Sequence, residues 1–186
     1  SMPNAKINYI YQIQNCFHLQ NFNLQQQTIS ANNNSNENFS LNVENLFFGS
    51  NIIPPESIIG GIDGIPCHIV DPDPNQNWGA GIHHSPDARY ADERAFQYLD
   101  KNGDKRKQIF LNSVILGNTF KQKPDTNLKR PSKRHDINGM PVSYDSILGD
   151  YKFSRKETIP VKVVYKSVQV LPSFLIDYTL GPKTKS

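Results

Sequence analysis

With 186 residues, 37% of them hydrophobic, the chain has apolar material for one core and fits a single domain over residues 1–186. Its 20 Lys and Arg against 17 Asp and Glu leave a net charge of +3, too small by itself to predict a nucleic-acid partner. No window approaches the roughly 18 consecutive apolar residues of a membrane-crossing helix, so none is expected.

The 2 cysteines, Cys16 and Cys67, lie far apart and make no disulfide framework. No basic stretch followed by an apolar run stands at the start, so no signal peptide is expected. The predicted setting is intracellular, nuclear or cytoplasmic, in a reducing compartment.

Ile10, Ile13, Phe17 and Leu24 fall close to helical spacing, which predicts a short amphipathic helix over Ile7 to Leu24. Gln25 to Gln27 and Asn32, Asn33, Asn34, Asn36 and Asn38 follow, a stretch with too little apolar surface to offset its ordering entropy. A disordered loop is expected over residues 25–40. Leu41 to Phe48 is apolar and aromatic-rich and ends at Gly49-Ser50-Asn51, as a strand entering a turn does. Pro54-Pro55-Glu56 ahead of Ser57, Ile58 and Ile59 predicts a helix with proline in its first turn, stopped by Gly60-Gly61.

Asp63 to Gly81 is crowded with Gly, Pro, Asp and Asn and reads as mostly loop. Asp87 to Leu99 is expected to be helical, with Ala88, Ala91, Ala95 and Phe96 as its apolar side. Lys101-Asn102-Gly103-Asp104 is a turn by composition. Three strands are then predicted: Ile109 to Leu116, Ile159 to Tyr165, and Phe174 to Leu180. Short strands, few helices and long loops indicate an α+β fold built on antiparallel sheets.

Lys121, Lys123, Lys129, Arg130, Lys133 and Arg134 share one stretch with Pro124 and Pro131. Such a run either binds phosphate or is simply solvated. Only Phe120 accompanies the charges, so no base-stacking platform is expected, and the solvated loop is preferred.

Five segments in order carry a family resemblance. They are Ile10-Tyr11-Gln12-Ile13-Gln14-Asn15, Leu46-Phe47-Phe48-Gly49-Ser50, Gly79-Ala80-Gly81-Ile82-His83-His84-Ser85, and Tyr144-Asp145-Ser146-Ile147. The last is Val163-Val164-Tyr165 with Gln169, Leu171-Pro172 and Leu175-Ile176. Each alone is weak, but together they span nearly the whole chain and resemble the catalytic domain of the poly(ADP-ribose) polymerase family, in its mono-ADP-ribosylating class. The resemblance implies split antiparallel sheets with a few flanking helices and NAD held between the sheets. Active members pass ADP-ribose from NAD to an acceptor through an oxocarbenium-like transition state.

The resemblance also places the working residues. The family's ribose-gripping His falls on Phe48, its stacking Tyr on His83, and its third residue, Glu in polymerases, on Val161. Gly49 retains the position whose backbone grips the nicotinamide amide, with Ser50 after it. An ungapped reading puts the amide-binding Ser on Ala91 and a second stacking ring on Arg94, with Phe96 the nearest ring. Phe48 leaves a ribose hydroxyl without a partner, which costs about 1–3 kcal/mol when buried. The resemblance therefore implies a domain that is catalytically inactive, with NAD binding impaired or absent, serving as an interaction module for a protein partner.

Three other readings compete. Cys67, His68, His83, His84 and Asp87 are metal-ligand types, although neighbouring histidines on a strand point to opposite faces. Glu157 or Asp87 could replace the lost Glu and support mono-ADP-ribosylation. An apolar cleft of Phe48, Val161 and Val163 could bind a peptide or another small molecule, with Trp78 as an anchor or, more simply, a packing residue.

Overall fold

The computed structural model describes residues 2, 4–33, 39–67, 77–135 and 139–181. β5 (Lys105–Ile115), which carries the apolar run that starts at Ile109, is the spine of the larger sheet. One side of this strand pairs antiparallel with β11 (Val170–Leu180); the other takes β2 (Val43–Phe48) and then β4 (Phe96–Leu99). β1 (Ala5–Gln12) closes the outer edge by pairing antiparallel with β11.

The smaller sheet runs in the order β3 (Ile82–His84), β10 (Thr158–Val164), β9 (Ser146–Lys152) and β6 (Thr119–Lys121). All of its pairings are antiparallel except β6 with β9. β7 (Lys133–His135) and β8 (Pro141–Ser143) form a separate antiparallel pair. With α1 (Cys16–Ala31), α2 (Pro55–Gly60) and α3 (Ala88–Asp92), this is an α+β fold on split, mostly antiparallel sheets.

The sheets meet where β2 passes β3. Phe47 N–H donates to Ser85 O at 2.8 Å, and Ser85 N–H donates back to Phe47 O at 3.1 Å. Lys162 on β10 also pairs with Glu44 on β2. Between the sheets, Leu46, Phe48, Phe110, Val114, Ile82 and Val164 form one buried cluster. A second cluster covers the other face of the smaller sheet, where Trp78, Tyr90, Ile147, Ile159, Val161 and Val163 pack together.

Three expectations need correction. Residues 5–12 are a strand, and the helix starts only at Cys16, where Asn15 caps it by accepting from Phe17 N–H and His18 N–H. Tyr9, Ile10 and Tyr11 favour extended backbone and find β11 as a partner, an interaction invisible in a local window. The face that α1 buries is His18, Phe22, Gln25 and Ile29; Phe17 and Leu24, which suggested the helix, are exposed.

The expected loop over residues 25–40 is helical through Ala31, and Gln25 and Asn33 are buried. Residues 34–38 of that loop lie outside the described residues. Lastly, the expected helix over Asp87 to Leu99 stops at Asp92, because Phe96 to Leu99 pair with β5 at Lys105 to Gln108 instead.

The remaining strands β3, β6, β7, β8 and β9 were not foreseen; four of them are three residues long, too short to show a period. The strands expected around residues 41–48, 109–116, 159–165 and 174–180, the proline-led helix and the turn at residues 101–104 are all present. Among the described residues no helix is long and apolar enough to cross a membrane.

Candidate functional site

The end of β2 and the start of β3 face the turn after α3 across a cleft. Phe48, Gly49, Ser50, Gly81, Ile82, His83 and Arg94 line it, with Ile53, Ile65 and Pro66 closing the other side. Five of the residues singled out by sequence, namely Phe48, Gly49, Ser50, His83 and Arg94, thus converge. The free volume left among them is about 40 Å³. That is room for a few water molecules, against the roughly 300–1,000 Å³ of an ordinary small-molecule pocket.

Phe48 is buried because β2 alternates: Leu46 and Phe48 turn into the cluster between the sheets, and Phe47 turns away. The Phe48 ring stands tilted against His84 at 5.6 Å and Phe110 at 6.3 Å, measured between ring centres. Gly49 is walled in on one side. A Cβ there would meet Ala91 O at 2.2 Å and the Arg94 carbonyl at 2.9 Å, so any larger residue would displace the α3 turn. The Ser50 hydroxyl is engaged locally, accepting from Ile53 N–H at 3.1 Å.

His83 and His84 point to opposite faces, as strand geometry requires. His83 lies opposite Val163 on β10, its ring 6.3 Å from Trp78. His84 faces Phe48 and is fully buried. Its Nδ1 donates to Ile82 O at 3.2 Å while Nε2 accepts from Asn112 Nδ2 at 3.3 Å, an arrangement that holds the neutral ring. Desolvation, the larger cause, and the neighbouring His83 depress its pKa to about 3. Asn112 is the residue that sequence reasoning missed; a lone amide in the apolar run Ile109 to Leu116 was the available signal.

Arg94 supplies positive charge to the cleft. Its guanidinium lies 4.2 Å from the Tyr90 ring centre and 5.4 Å from that of Tyr151, and these two rings meet edge to face at 5.1 Å. Nη1 donates to Tyr90 O and Glu93 Oε2, both at 3.3 Å, and Tyr151 Oη donates to the same Glu93 oxygen at 3.0 Å. Neither tyrosine was anticipated. The described lining contains no carboxylate.

The other candidates lie elsewhere. Val161 is wholly buried behind the cleft, opposite Gly149 on β9 and packed with Trp78, Tyr90 and Val163. Ala91 packs its side chain with Ala95, Ile109 and Tyr178, and only its carbonyl reaches Gly49. Phe96 sits half-buried on β4 opposite Gln108 and does not line the cleft.

Trp78 is a packing residue, 1% exposed, with Nε1–H donating to Gln122 O at 3.1 Å. Asp87 and Glu157 both bind Arg89, at 2.5 Å and 2.6 Å, which draws each carboxyl pKa down. Among the described residues no group of three ligand-type side chains could hold a metal ion, and His68 lies outside them. Cys67 and Cys16 are free thiols. Burial raises the Cys67 pKa, against the hydrogen bond with Ser167 at 3.3 Å.

Compared with known proteins, the chain matches no protein-family model, and no curated protein matches it significantly.

Proposed function

We propose that this chain is a poly(ADP-ribose) polymerase-type ADP-ribosyltransferase domain that has lost its chemistry and serves as an interaction module inside the cell. The observation that carries this reading is the cleft itself. Phe48, Gly49, Ser50, His83 and Arg94, five of the positions that the resemblance singles out, line one crevice at the split between two sheets, yet that crevice keeps only about 40 Å³ free.

NAD does not fit the groups present. Phe48 offers no hydrogen-bonding atom where a ribose hydroxyl would need one, and a buried hydroxyl without a partner costs about 1–3 kcal/mol. Arg94, clasped by Tyr90 and Tyr151, stands where the resemblance asks for a second stacking ring. Cleaving the nicotinamide bond builds positive charge, which a nearby guanidinium opposes and a carboxylate would favour. The carboxylates considered as substitutes, Asp87 and Glu157, are both engaged by Arg89. No catalytic step follows from these groups.

Calorimetric titration with a non-hydrolysable NAD analogue, paired with automodification by labelled NAD, tests the proposal. The expected result is no binding heat and no label. Saturable binding at micromolar analogue, or label transferred to the protein, overturns it in favour of active mono-ADP-ribosylation.

A further inference from the structure

A second, larger cavity lies apart from this cleft. It opens between the end of α1, the segment following β6, and the segment that leaves β10, with a volume of about 600 Å³. Lys129, Arg130, Arg134 and Lys166 line it, while Asp145 is the one carboxylate among the described lining residues. The formal balance of the described lining is therefore +3, four cations less one anion. This equals the net charge of the whole chain, so the excess positive charge is concentrated on one concavity.

The wall behind these cations is built and rigid. Asn33 Nδ2 donates to Ile29 O at 2.7 Å, and Asn33 Oδ1 accepts from both Arg134 Nη2 and Asn118 Nδ2 at 2.8 Å. Asp145 Oδ2 accepts from Asn118 N–H at 2.9 Å, which turns that carboxylate toward the backbone. Gln169, almost fully buried, donates to Ile115 O and Asp145 O at 3.0 Å each.

In contrast to that wall, the cations keep capacity in hand. Arg134 Nε–H is buried with no partner, an unusual expense for a guanidinium. Among the described residues Lys129, Arg130 and Lys166 make no ion pair. Repulsion among four cations around one concavity is relieved by an anion that several of them can share.

We propose that this cavity is a binding site for a small diphosphate-bearing ligand, held by Lys129, Arg130, Arg134 and Lys166. The volume falls within the roughly 300–1,000 Å³ range of small-molecule pockets, which favours a compact ligand over a nucleic-acid strand. A strand-binding surface instead tracks its cations along an open groove beside exposed ring faces. Here the Tyr144 ring is stacked on Phe120 at 4.9 Å. The sequence reading of the 121–134 run as a solvated loop omitted Lys166, which arrives from the far end of the chain.

The test is calorimetry at low ionic strength with inorganic pyrophosphate, ADP and adenosine as separate titrants, on the wild type and on Lys166→Glu and Lys129→Glu/Arg130→Glu. These three residues are exposed, so the substitutions should leave folding intact, and circular dichroism verifies this. Pyrophosphate and ADP are expected to bind and adenosine not. Each charge-reversal variant should weaken binding about tenfold or more, the scale of one charged hydrogen bond. Equal affinities for the two phosphates assign recognition to the diphosphate alone; tighter ADP adds a nucleoside contribution. Absence of binding by either phosphate at millimolar concentration overturns the proposal. So does binding indifferent to the charge reversals, or binding of a single-stranded RNA that ADP does not displace.

Discussion

The Phe48 ring stands 5.6 Å from the His84 imidazole, each covering the other from solvent. An imidazole in this setting cannot readily take a proton, because the positive ring would be desolvated beneath an apolar neighbour. Of the two rings, Phe48 also lines the cleft, at the position that the resemblance gives to the ribose-gripping residue. Packing against His84 and the proposed loss of cofactor binding thus share one side chain.

That pair sets a pH dependence. Unfolded, His84 titrates near its ordinary 6.5; folded, its pKa is about 3. A base whose pKa is lowered by folding contributes stability above 6.5, and that contribution is lost as pH falls toward 3. Wild-type unfolding free energy should drop by on the order of 1 kcal/mol per pH unit from this group below 6.5. Urea denaturation at pH 7 and pH 5 measures the slope. His84→Gln should be less stable at pH 7 but show a shallower slope; an unchanged slope would mean that His84 takes up its proton over the same pH range folded and unfolded.

Installing the groups that the resemblance expects tests the cleft. Phe48→His with His83→Tyr should give measurable NAD affinity by calorimetry if the pocket can widen, while Phe48→His alone should not. The single change also puts a smaller, polar imidazole in place of a buried apolar ring, so a loss of about 1–3 kcal/mol in stability is expected with it. No gain from the double variant, with folding verified, would count against the assignment of Phe48 and His83 to the NAD positions.

Gly149 is a steric requirement. A Cβ there would fall 2.0 Å from Trp78 Cζ2, inside the ring's own volume. Gly149→Ala should cost about 1–3 kcal/mol through overpacking. Because Trp78 is the sole tryptophan, its fluorescence should shift to the red as the indole is pushed toward solvent. Adding Trp78→Phe, which makes room, should recover part of the lost melting temperature.

Arg89 joins Asp87 and Glu157 at the surface, where solvent screens the charges. Glu157→Gln should leave the melting temperature within experimental error and leave labelled-NAD transfer at background. A loss of transfer from a measurable wild-type level would instead identify Glu157 as part of a working site.

How far the chain could be read varied by element, for a physical reason. Ile109 to Leu116 and Ile159 to Tyr165 announce themselves through dense β-branched and aromatic residues, and Pro54-Pro55 starts a helix by fixed backbone angles. Residues 5–12 have comparable strand formers, yet the spacing of Ile10 and Ile13 imitates a helix. Only pairing with Phe174 to Leu180 decides between them. Tyr98 and Leu99 likewise leave the expected helix because β5 offers an open edge.

By itself, then, the sequence determined the elements whose residues share one local preference, the polar character of the chain, and which residues stand at Phe48, His83 and Val161. These are properties of neighbours along the chain, and a short window contains them. Tertiary structure alone decided that Phe48 meets His84, that Arg94 enters the cleft between two tyrosines, and that Lys166 joins Arg134 around a cavity. Each of these depends on contacts between residues far apart in the chain. Such contacts form only when burial and strand pairing outweigh local propensity, so no short window contains them.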